Sequence, residues 1–146
     1  MYLLDSNLLI ALCMPEHVHH EDAMRWLASL GKVAREQPTL ALCAITEGAL
    51  VRQMLRDNPV AGIANAIAIL AAVKAWPGCH FWGDSLSYVD IDWRGVIGHK
   101  QVTDAYLVAL AKSKNARLVS FDRGLAALRP DLVSLVPVQQ PGAGIR

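Results

Sequence analysis

The segment KQVTDAYLVALAKSKNARLVSFD, residues 100–122, gives the clearest indication of the fold class. Apolar residues recur at helical spacing over about 102–114, which predicts a helix. Residues 117–121 (Arg-Leu-Val-Ser-Phe) then predict a short strand, and Asp122 follows it directly. Because helices that lead into buried strands are the units of parallel sheets, this segment predicts an α/β protein.

The rest of the chain continues this alternation of strand and helix. Further strands are predicted at 2–4, 40–45, 79–82 and 132–136, and further helices at 8–13, 20–30, 47–56, 61–76 and 122–128. Gly31 is expected to end the second of these helices, and Thr46 to cap the third. The alternation predicts a parallel sheet covered by helices on both faces, with right-handed crossovers.

Length and composition limit the class of protein. A chain of 146 residues with 53% hydrophobic residues predicts one globular domain at 1–137, followed by a flexible tail at 138–146. No apolar run approaches the roughly 18 residues of a membrane span, and the N-terminus lacks the basic region of a signal peptide. The cysteine count is odd, at three, with no CxxC spacing. We therefore expect free thiols in a cytoplasmic protein that does not bind membranes.

Four carboxylates occupy equivalent positions in this pattern. Asp5 and Asp122 each follow a predicted strand, and Glu47 and Asp104 each lie in the first turn of a predicted helix. Strand-to-helix connections share one edge of a parallel sheet, where the sites of such folds form. Taken singly, each acid is explained equally well as a helix cap or a first-turn residue. Together they indicate a site at that edge.

A cluster of acids at one edge is repulsive unless a cation neutralises it. Oxygen ligands suit Mg²⁺ or Mn²⁺, which bind through a few carboxylates and keep several waters. Such ions activate water and stabilise the charge that develops on a phosphodiester under attack. The four carboxylates therefore predict a metal site suited to phosphodiester chemistry.

The chain resembles the PIN-domain family, and in particular the ribonuclease toxins of VapBC-type toxin–antitoxin pairs. The resemblance covers nearly the whole chain, and its order and spacing are specific. It is carried by the segments YLLDSNLLIAL, HVHHEDAMRWL, AITEGALVR, FWGDSLSYVD and GHKQVTDAYLVALAKSKNARLVSFDRGLAAL. It implies a PIN-like three-layer α/β/α sandwich with a central parallel sheet. It also implies metal-dependent endoribonuclease activity, a homodimer, and a small antitoxin protein that blocks the site.

The resemblance also implies roles for the acidic residues. Asp5 and Asp104 would be the principal Mg²⁺ or Mn²⁺ ligands, and both would act as catalytic residues. Glu47 and Asp122 would complete the catalytic cluster, either directly or through water. One departure concerns Gly48, which follows Glu47 where asparagine is frequent in similar sequences.

Three residues would support this cluster. By the same resemblance, Ser6 and Asn7 would hold Asp5 by hydrogen bonding, and Thr103 would cap the helix that bears Asp104. Ser6 stands where threonine is common in the family, a change that keeps the hydroxyl.

Basic residues and histidines give few further indications of function. His99, Lys100 and Arg123 flank the predicted acids and are candidate RNA contacts, although a solvated loop or helix start explains them equally well. The three histidines at 17, 19 and 20 lack a distant partner set with zinc-ligand spacing. A net charge of +1 leaves any RNA contact to a local basic rim.

Three other functions compete with the toxin reading. A PIN nuclease that processes RNA would lack an antitoxin. A neighbouring reading frame that encodes a DNA-binding protein would distinguish a toxin from such a nuclease. A catalytically silent PIN module has no need to keep four repelling acids. A phospho-accepting receiver domain needs two adjacent acids after the first strand, whereas Ser6 follows Asp5 here.

Overall fold

The computed structural model describes residues 1–33 and 37–140 and contains a five-stranded parallel sheet in the order β3-β2-β1-β4-β5. The strands are β1 Tyr2–Leu4, β2 Leu40–Cys43, β3 Cys79–Trp82, β4 Arg117–Ser120 and β5 Val133–Leu135. The helices are α1 Ser6–Cys13, α2 His20–Val33, α3 Ala44–Asp57, α4 Gly62–Lys74, α5 Val102–Ser113 and α6 Arg123–Leu128. The predicted α/β class and parallel sheet are confirmed.

The sheet has a hydrophobic cluster on each face, because neighbouring strand residues point in opposite directions. Leu4 and Leu42 face one cluster, which α1, α3 and α4 complete and α2 flanks. Leu3 and Ala41 face the other, where Tyr106, Leu107 and Leu110 of α5 pack. The chain therefore forms the expected three layers.

Two predicted helix boundaries were wrong: the start of α3 and the end of α2. Thr46 does not cap α3, which begins at Ala44 and has Cys43 as its N-cap residue. The Thr46 hydroxyl instead accepts from the Cys43 backbone N–H and donates to its carbonyl, which places Thr46 inside the first turn. Gly31 does not end α2, which continues to Val33.

The first helix also begins earlier than its apolar spacing predicted. Asp5 is the N-cap residue of α1, and its side chain accepts from the Ser6 backbone N–H. The helix therefore starts directly at the carboxyl end of β1. This short connection fixes the position of Asp5 at the sheet edge.

The segment 83–101 between β3 and α5 contains two short 3₁₀ turns, Tyr88–Asp90 and His99–Gln101. It covers the start of α5 and forms one wall of a cavity described below. Among the helices of residues 1–33 and 37–140, none combines the length with the apolar composition of a membrane span.

The predicted tail at 138–146 lies partly outside the described residues. Its described part contacts the domain, because the Gln139 backbone N–H donates to the buried Asp22 carboxylate at 3.1 Å.

Candidate active site

Two of the predicted acids lie beside each other at the carboxyl ends of the central strands. Leu4 of β1 pairs with Val119 of β4, and the Asp5 backbone N–H donates to the Val119 carbonyl at 3.0 Å. Asp5 therefore leaves the sheet next to the end of β4. Asp122 follows that strand by two residues, as its position after a predicted strand implied.

Asp5 is held by hydrogen bonds at both carboxylate oxygens. Ser120 Oγ donates to Oδ2 at 2.5 Å, and the Ser6 backbone N–H donates to Oδ1 at 2.7 Å. Only 6% of Asp5 is exposed. Burial raises the pKa of its carboxyl group, the two hydrogen bonds lower it in part, and the charge of Asp122 raises it further. Asp5 is thus fixed in place and sensitive to nearby charge.

Asp104 lies in the first turn of α5, which packs on β1 and β4. Burial raises the pKa of its carboxyl group to about 6, and the charges of Asp5 and Asp122 add to this increase. Among the described residues, no Lys, Arg or His side chain forms an ion pair with any of the three aspartates. The structure therefore brings together three acids that repel one another.

Ser120 links two of these acids, and the sequence reasoning did not identify it. Its hydroxyl donates to Asp5 and accepts from the Asp122 backbone N–H at 3.0 Å. Ser120 is 1% exposed, so the hydroxyl is shielded from water. The signal was present at the end of β4, where the polar Ser120 follows two apolar residues and comes two positions before Asp122.

Asp122 also has the structural role considered for it from sequence. Its Oδ1 accepts from the Leu125 backbone N–H at 2.9 Å, so it caps α6. Asp5 likewise caps α1. Capping and clustering are compatible, because one carboxylate has several lone pairs.

Glu47, the fourth predicted acid, has a different environment from the three aspartates. It lies in the first turn of α3, and its Oε1 is 2.8 Å from Nζ of Lys74 in the last turn of α4. The acidic charges that act on Asp104 are those of Asp5 and Asp122. The membership of Glu47 in a metal cluster stays a prediction.

The predicted supporting residues differ from expectation in detail. Ser6 contacts Asp5 through its backbone N–H. Asn7 is exposed, and within the described part of the chain it makes no hydrogen bond to Asp5. The expectation that Thr103 caps α5 was wrong, because the helix already begins at Val102. The Gln101 side chain instead accepts from the backbone N–H groups of residues 97 and 98, closing the loop before the helix.

A cavity of about 670 Å³ adjoins the acids, and Asp104 and Asp122 lie in its lining. The remaining lining comes mostly from α5, α6 and the segment 83–101, and it combines apolar residues such as Val108 and Leu125 with charged ones such as Asp92, Arg94 and Arg129. Lys112, eight residues after Asp104 on α5, also lines it. The candidate RNA contacts His99, Lys100 and Arg123 are all exposed. The site is therefore open to a large substrate.

The donor set fits a hydrated divalent ion better than a closed metal shell. Within residues 1–33 and 37–140, no three His, Cys, Asp or Glu side chains are arranged as a ready coordination shell. Mg²⁺ needs only one or two carboxylates and keeps several waters. Three uncompensated aspartates, one with its pKa raised to about 6, supply the charge that such an ion would neutralise.

Comparisons with known proteins agree with this geometry. The PIN domain family model matches residues 2–129. The chain is 42% identical over 135 residues to Ribonuclease VapC29 of Mycobacterium tuberculosis, covering 92% of this chain and 96% of the relative. It is 38% identical over 133 residues to Ribonuclease VapC38 of the same organism, covering 88% and 89%.

Solved structures share the fold at low sequence identity. The crystal structure of M. tuberculosis VapC20, described as a Sarcin-Ricin loop cleaving toxin, matches with a TM-score of 0.65 at 17% identity and covers 94% of this chain and 100% of that one. Rickettsia felis VapBC2, bound to a DNA fragment from its promoter, matches with a TM-score of 0.63 at 15% identity, covering 92% and 97%.

Proposed function

The chain belongs to the PIN-domain family, among its VapC ribonuclease toxins, and from this premise we propose that it is a Mg²⁺- or Mn²⁺-dependent endoribonuclease, the toxin of a type II toxin–antitoxin pair. The observation that carries the metal dependence is the cluster of Asp5, Asp104 and Asp122 without a protein counter-charge among the described residues.

Each aspartate has a distinct part in this proposal. Asp5 and Asp104 are the principal metal ligands, and Asp122 completes the site directly or through water. Ser120 keeps Asp5 oriented, because its hydroxyl is already committed to Oδ2. Bound at this site, Mg²⁺ or Mn²⁺ would activate water and stabilise the charge that builds on a phosphodiester.

The substrate is proposed to be RNA in an unpaired region. The acids lie at an open edge beside exposed His99, Lys100 and Arg123, which can contact phosphates on either side of the reacting group. Sequence-selective recognition of RNA mostly uses single-stranded loops whose bases are accessible. VapC20 is described as cleaving the sarcin–ricin loop, and a structured RNA loop is therefore a substrate class to include.

Protein partners are proposed on separate grounds. The VapBC2 structure contains a toxin with its partner, which supports a cognate antitoxin for this chain. The outer side of α4 exposes large apolar residues: Ile63 is 54% and Ile67 is 48% exposed. Apolar side chains of this size on a helix surface support a partner contact, either an antitoxin or a second copy in a homodimer.

The proposal is tested with purified protein and total cellular RNA in Mg²⁺, in Mn²⁺ and in EDTA, with the wild type beside Asp5→Asn. We expect discrete fragments with either ion, none in EDTA, and none from the variant. Cleavage in EDTA, or full activity of Asp5→Asn, would refute the assigned mechanism. A folded, metal-binding wild type that cleaves neither total RNA nor isolated transfer and ribosomal RNA would favour a silent module.

A further inference from the structure

The cavity beside the acids is a groove that follows α5 along most of its length. Asp104 in the first turn, Val108 in the middle and Lys112 in the last turn all line it. These positions are four residues apart, so their side chains lie on one side of the helix. At 1.5 Å per residue, Asp104 and Lys112 are about 12 Å apart along the helix axis. The groove therefore has acids at one end and a positive charge at the other.

The middle of the groove is apolar. Val108 is 6% exposed, and the partly buried Leu86, Ala105, Ala109 and Leu125 line the groove with it. A volume of about 670 Å³ is within the usual range for small-molecule sites, which combine apolar walls with a few placed polar groups. The middle of the groove is thus suited to an aromatic ring system such as a nucleobase.

Contacts between the segment 83–101 and the end of α6 fix one wall of the groove. Arg94 donates to both carboxylate oxygens of Asp92 at 2.6–2.9 Å, and the Arg129 side chain donates to the Arg94 carbonyl at 2.7 Å. Gly95 has a φ of +81°, and a Cβ there would lie 2.8 Å from the Leu128 side chain. The wall is therefore closely packed, and the charge of Asp92 is already compensated.

Gln101 places an oriented polar group in the lining. Its Oε1 accepts from the backbone N–H groups of Ile97 and Gly98 at 2.7 and 3.2 Å. Because both partners are donors, the oxygen and the nitrogen of this amide are distinguished by their hydrogen bonds. Gln101 lines the groove, so its Nε2 group can donate to an acceptor on the edge of a base.

The order of charges favours a nucleic acid strand over a peptide. The acids are the proposed site of the ion that binds the reacting phosphodiester. Lys112 is exposed, and among the described residues it forms no ion pair. Two positions that bind phosphates thus lie on either side of an apolar middle, as phosphates and bases alternate in a single strand. A basic peptide would match the acids, but Lys112 would repel it.

We propose that this groove is a nucleotide subsite, in which an unpaired base next to the reacting phosphodiester lies against Val108 and Leu125, and Lys112 binds the phosphate beyond that base. The position of the base relative to the cleaved bond rests on the proposed function. The binding of a nucleotide does not, because it follows from the size, lining and charges of the groove.

Nucleotide binding is tested by nuclear magnetic resonance on the wild type in Mg²⁺, with ¹³C-labelled methyl groups of Val and Leu. The probes are the ribonucleoside 5′-monophosphates at millimolar concentration, beside ribose 5-phosphate, which lacks the base. We expect at least one nucleotide to give saturable shifts at Val108 and Leu125 and none at Val73, which packs on the opposite face of the sheet. The absence of such shifts, or equal shifts with ribose 5-phosphate, would overturn the inference.

The part of the groove in cleavage is tested by filling it. Ala109→Phe adds a ring to the lining, and Ala127→Phe is the matched control at an exposed position of α6 outside it. With an RNA that the wild type cleaves, Ala109→Phe should reduce kcat/KM by about tenfold or more at unchanged Mn²⁺ affinity. Ala127→Phe should match the wild type. A wild-type kcat/KM in Ala109→Phe would contradict the inference, and so would an equal loss in Ala127→Phe.

Lys112→Met tests the phosphate contact, with Lys114→Met as the control, because Lys114 is exposed on the same helix end but does not line the groove. Affinity for the same RNA is measured in EDTA at several salt concentrations. Each phosphate contact to a single strand contributes about 0.7 to the slope of log affinity against log salt. We expect Lys112→Met to reduce the slope by about this amount and Lys114→Met to leave it unchanged. An unchanged slope for Lys112→Met would refute the phosphate contact.

These tests separate the subsite from the proposed function. A wild type that cleaves no RNA, yet shows the methyl shifts, would refute the proposed function and support the nucleotide subsite. A wild type that cleaves RNA, but shows no methyl shifts and tolerates Ala109→Phe, would refute the subsite and leave the proposed function standing. A groove that binds a protein partner instead would give this second result.

Discussion

Replacement of Asp104 by Asn should make the metal-free protein more stable while it removes the activity. Burial and the charges of Asp5 and Asp122 raise the pKa of the Asp104 carboxyl group from 3.8 to about 6. Its ionised form is therefore less favourable in the folded chain than in the unfolded chain. Asn has nearly the same shape and carries no charge, so it removes this penalty.

The size of the effect follows from the change in pKa. A change from 3.8 to about 6 corresponds to about 3 kcal/mol at 1.36 kcal/mol for each pH unit. Asp104 is only partly buried, so solvent screening reduces this to about 1–2 kcal/mol. In a domain of this size, that free energy should raise the thermal midpoint by about 3–6 °C.

The gain should depend on pH in a defined direction. Because the folded-state pKa is the higher of the two, the native chain binds more protons than the unfolded chain between about pH 4 and pH 6. The stability of the wild type attributable to Asp104 is therefore greatest below pH 4 and falls as the pH rises through 6. The advantage of Asp104→Asn should be full above pH 7 and vanish near pH 4.

The assay is thermal or urea unfolding in EDTA at several pH values, with the difference between variant and wild type as the measured quantity. Asp131→Asn, which removes an exposed carboxylate, serves as the control and should show no such difference. A variant that is less stable than the wild type at pH 7.5 would exclude a charge penalty at Asp104, and so would a gain that does not shrink toward pH 4.

Three further results are expected. Asp5→Asn should abolish RNA cleavage with unchanged circular dichroism; a variant that still cleaves would remove Asp5 from the mechanism. Ser120→Ala should lower the free energy of unfolding in urea by about 1–3 kcal/mol, because the Asp122 backbone N–H loses its acceptor. The same variant should shift the pH profile of cleavage upward, because Asp5 loses a hydrogen-bond donor. An unchanged pH profile would argue against orientation of Asp5 by Ser120. Lys100→Ala should weaken RNA binding similarly for all sequences and reduce the dependence of the logarithm of affinity on salt by about one; an unchanged salt dependence would exclude a phosphate contact at Lys100.

The order of strands and helices was predictable because the strands are short and mostly apolar, and because β1, β2 and β4 each lead directly into a helix. The convergence of Asp5, Asp104 and Asp122 was also predictable, since the carboxyl ends of neighbouring parallel strands meet at one edge. Neither step requires knowledge of side-chain packing. Both depend only on positions along the chain.

The orientation of Glu47 could not be obtained in the same way. The sequence places it in a first helical turn but does not say which neighbouring helix its side chain faces. That depends on the packing of α3 against α4, and so on Lys74, which is 27 positions away. Ser120 escaped notice for a related reason: a serine in an apolar strand reveals its purpose only when its hydrogen-bond partners are known.

The capping errors have a local cause. Thr46 and Thr103 are good N-cap residues by type, yet the helices begin two or one residues before them. At Thr46 the hydroxyl bonds back to Cys43, and at Thr103 the preceding 3₁₀ turn already leads into the helix. Side-chain type alone does not decide between a cap and a first-turn position.

If the aspartate cluster uses a divalent ion to hydrolyse RNA with water, the oxygen of that water must appear in the cut ends. Cleavage in Mn²⁺ with ¹⁸O-labelled water, followed by mass spectrometry of the fragments, shows where the oxygen goes. We predict one labelled oxygen in the terminal phosphate, no cyclic phosphate ends, and no cleavage in EDTA. Fragments that end in 2′,3′-cyclic phosphate, or label-free ends formed in EDTA, would contradict this prediction, because the RNA's own 2′-hydroxyl would then be the nucleophile.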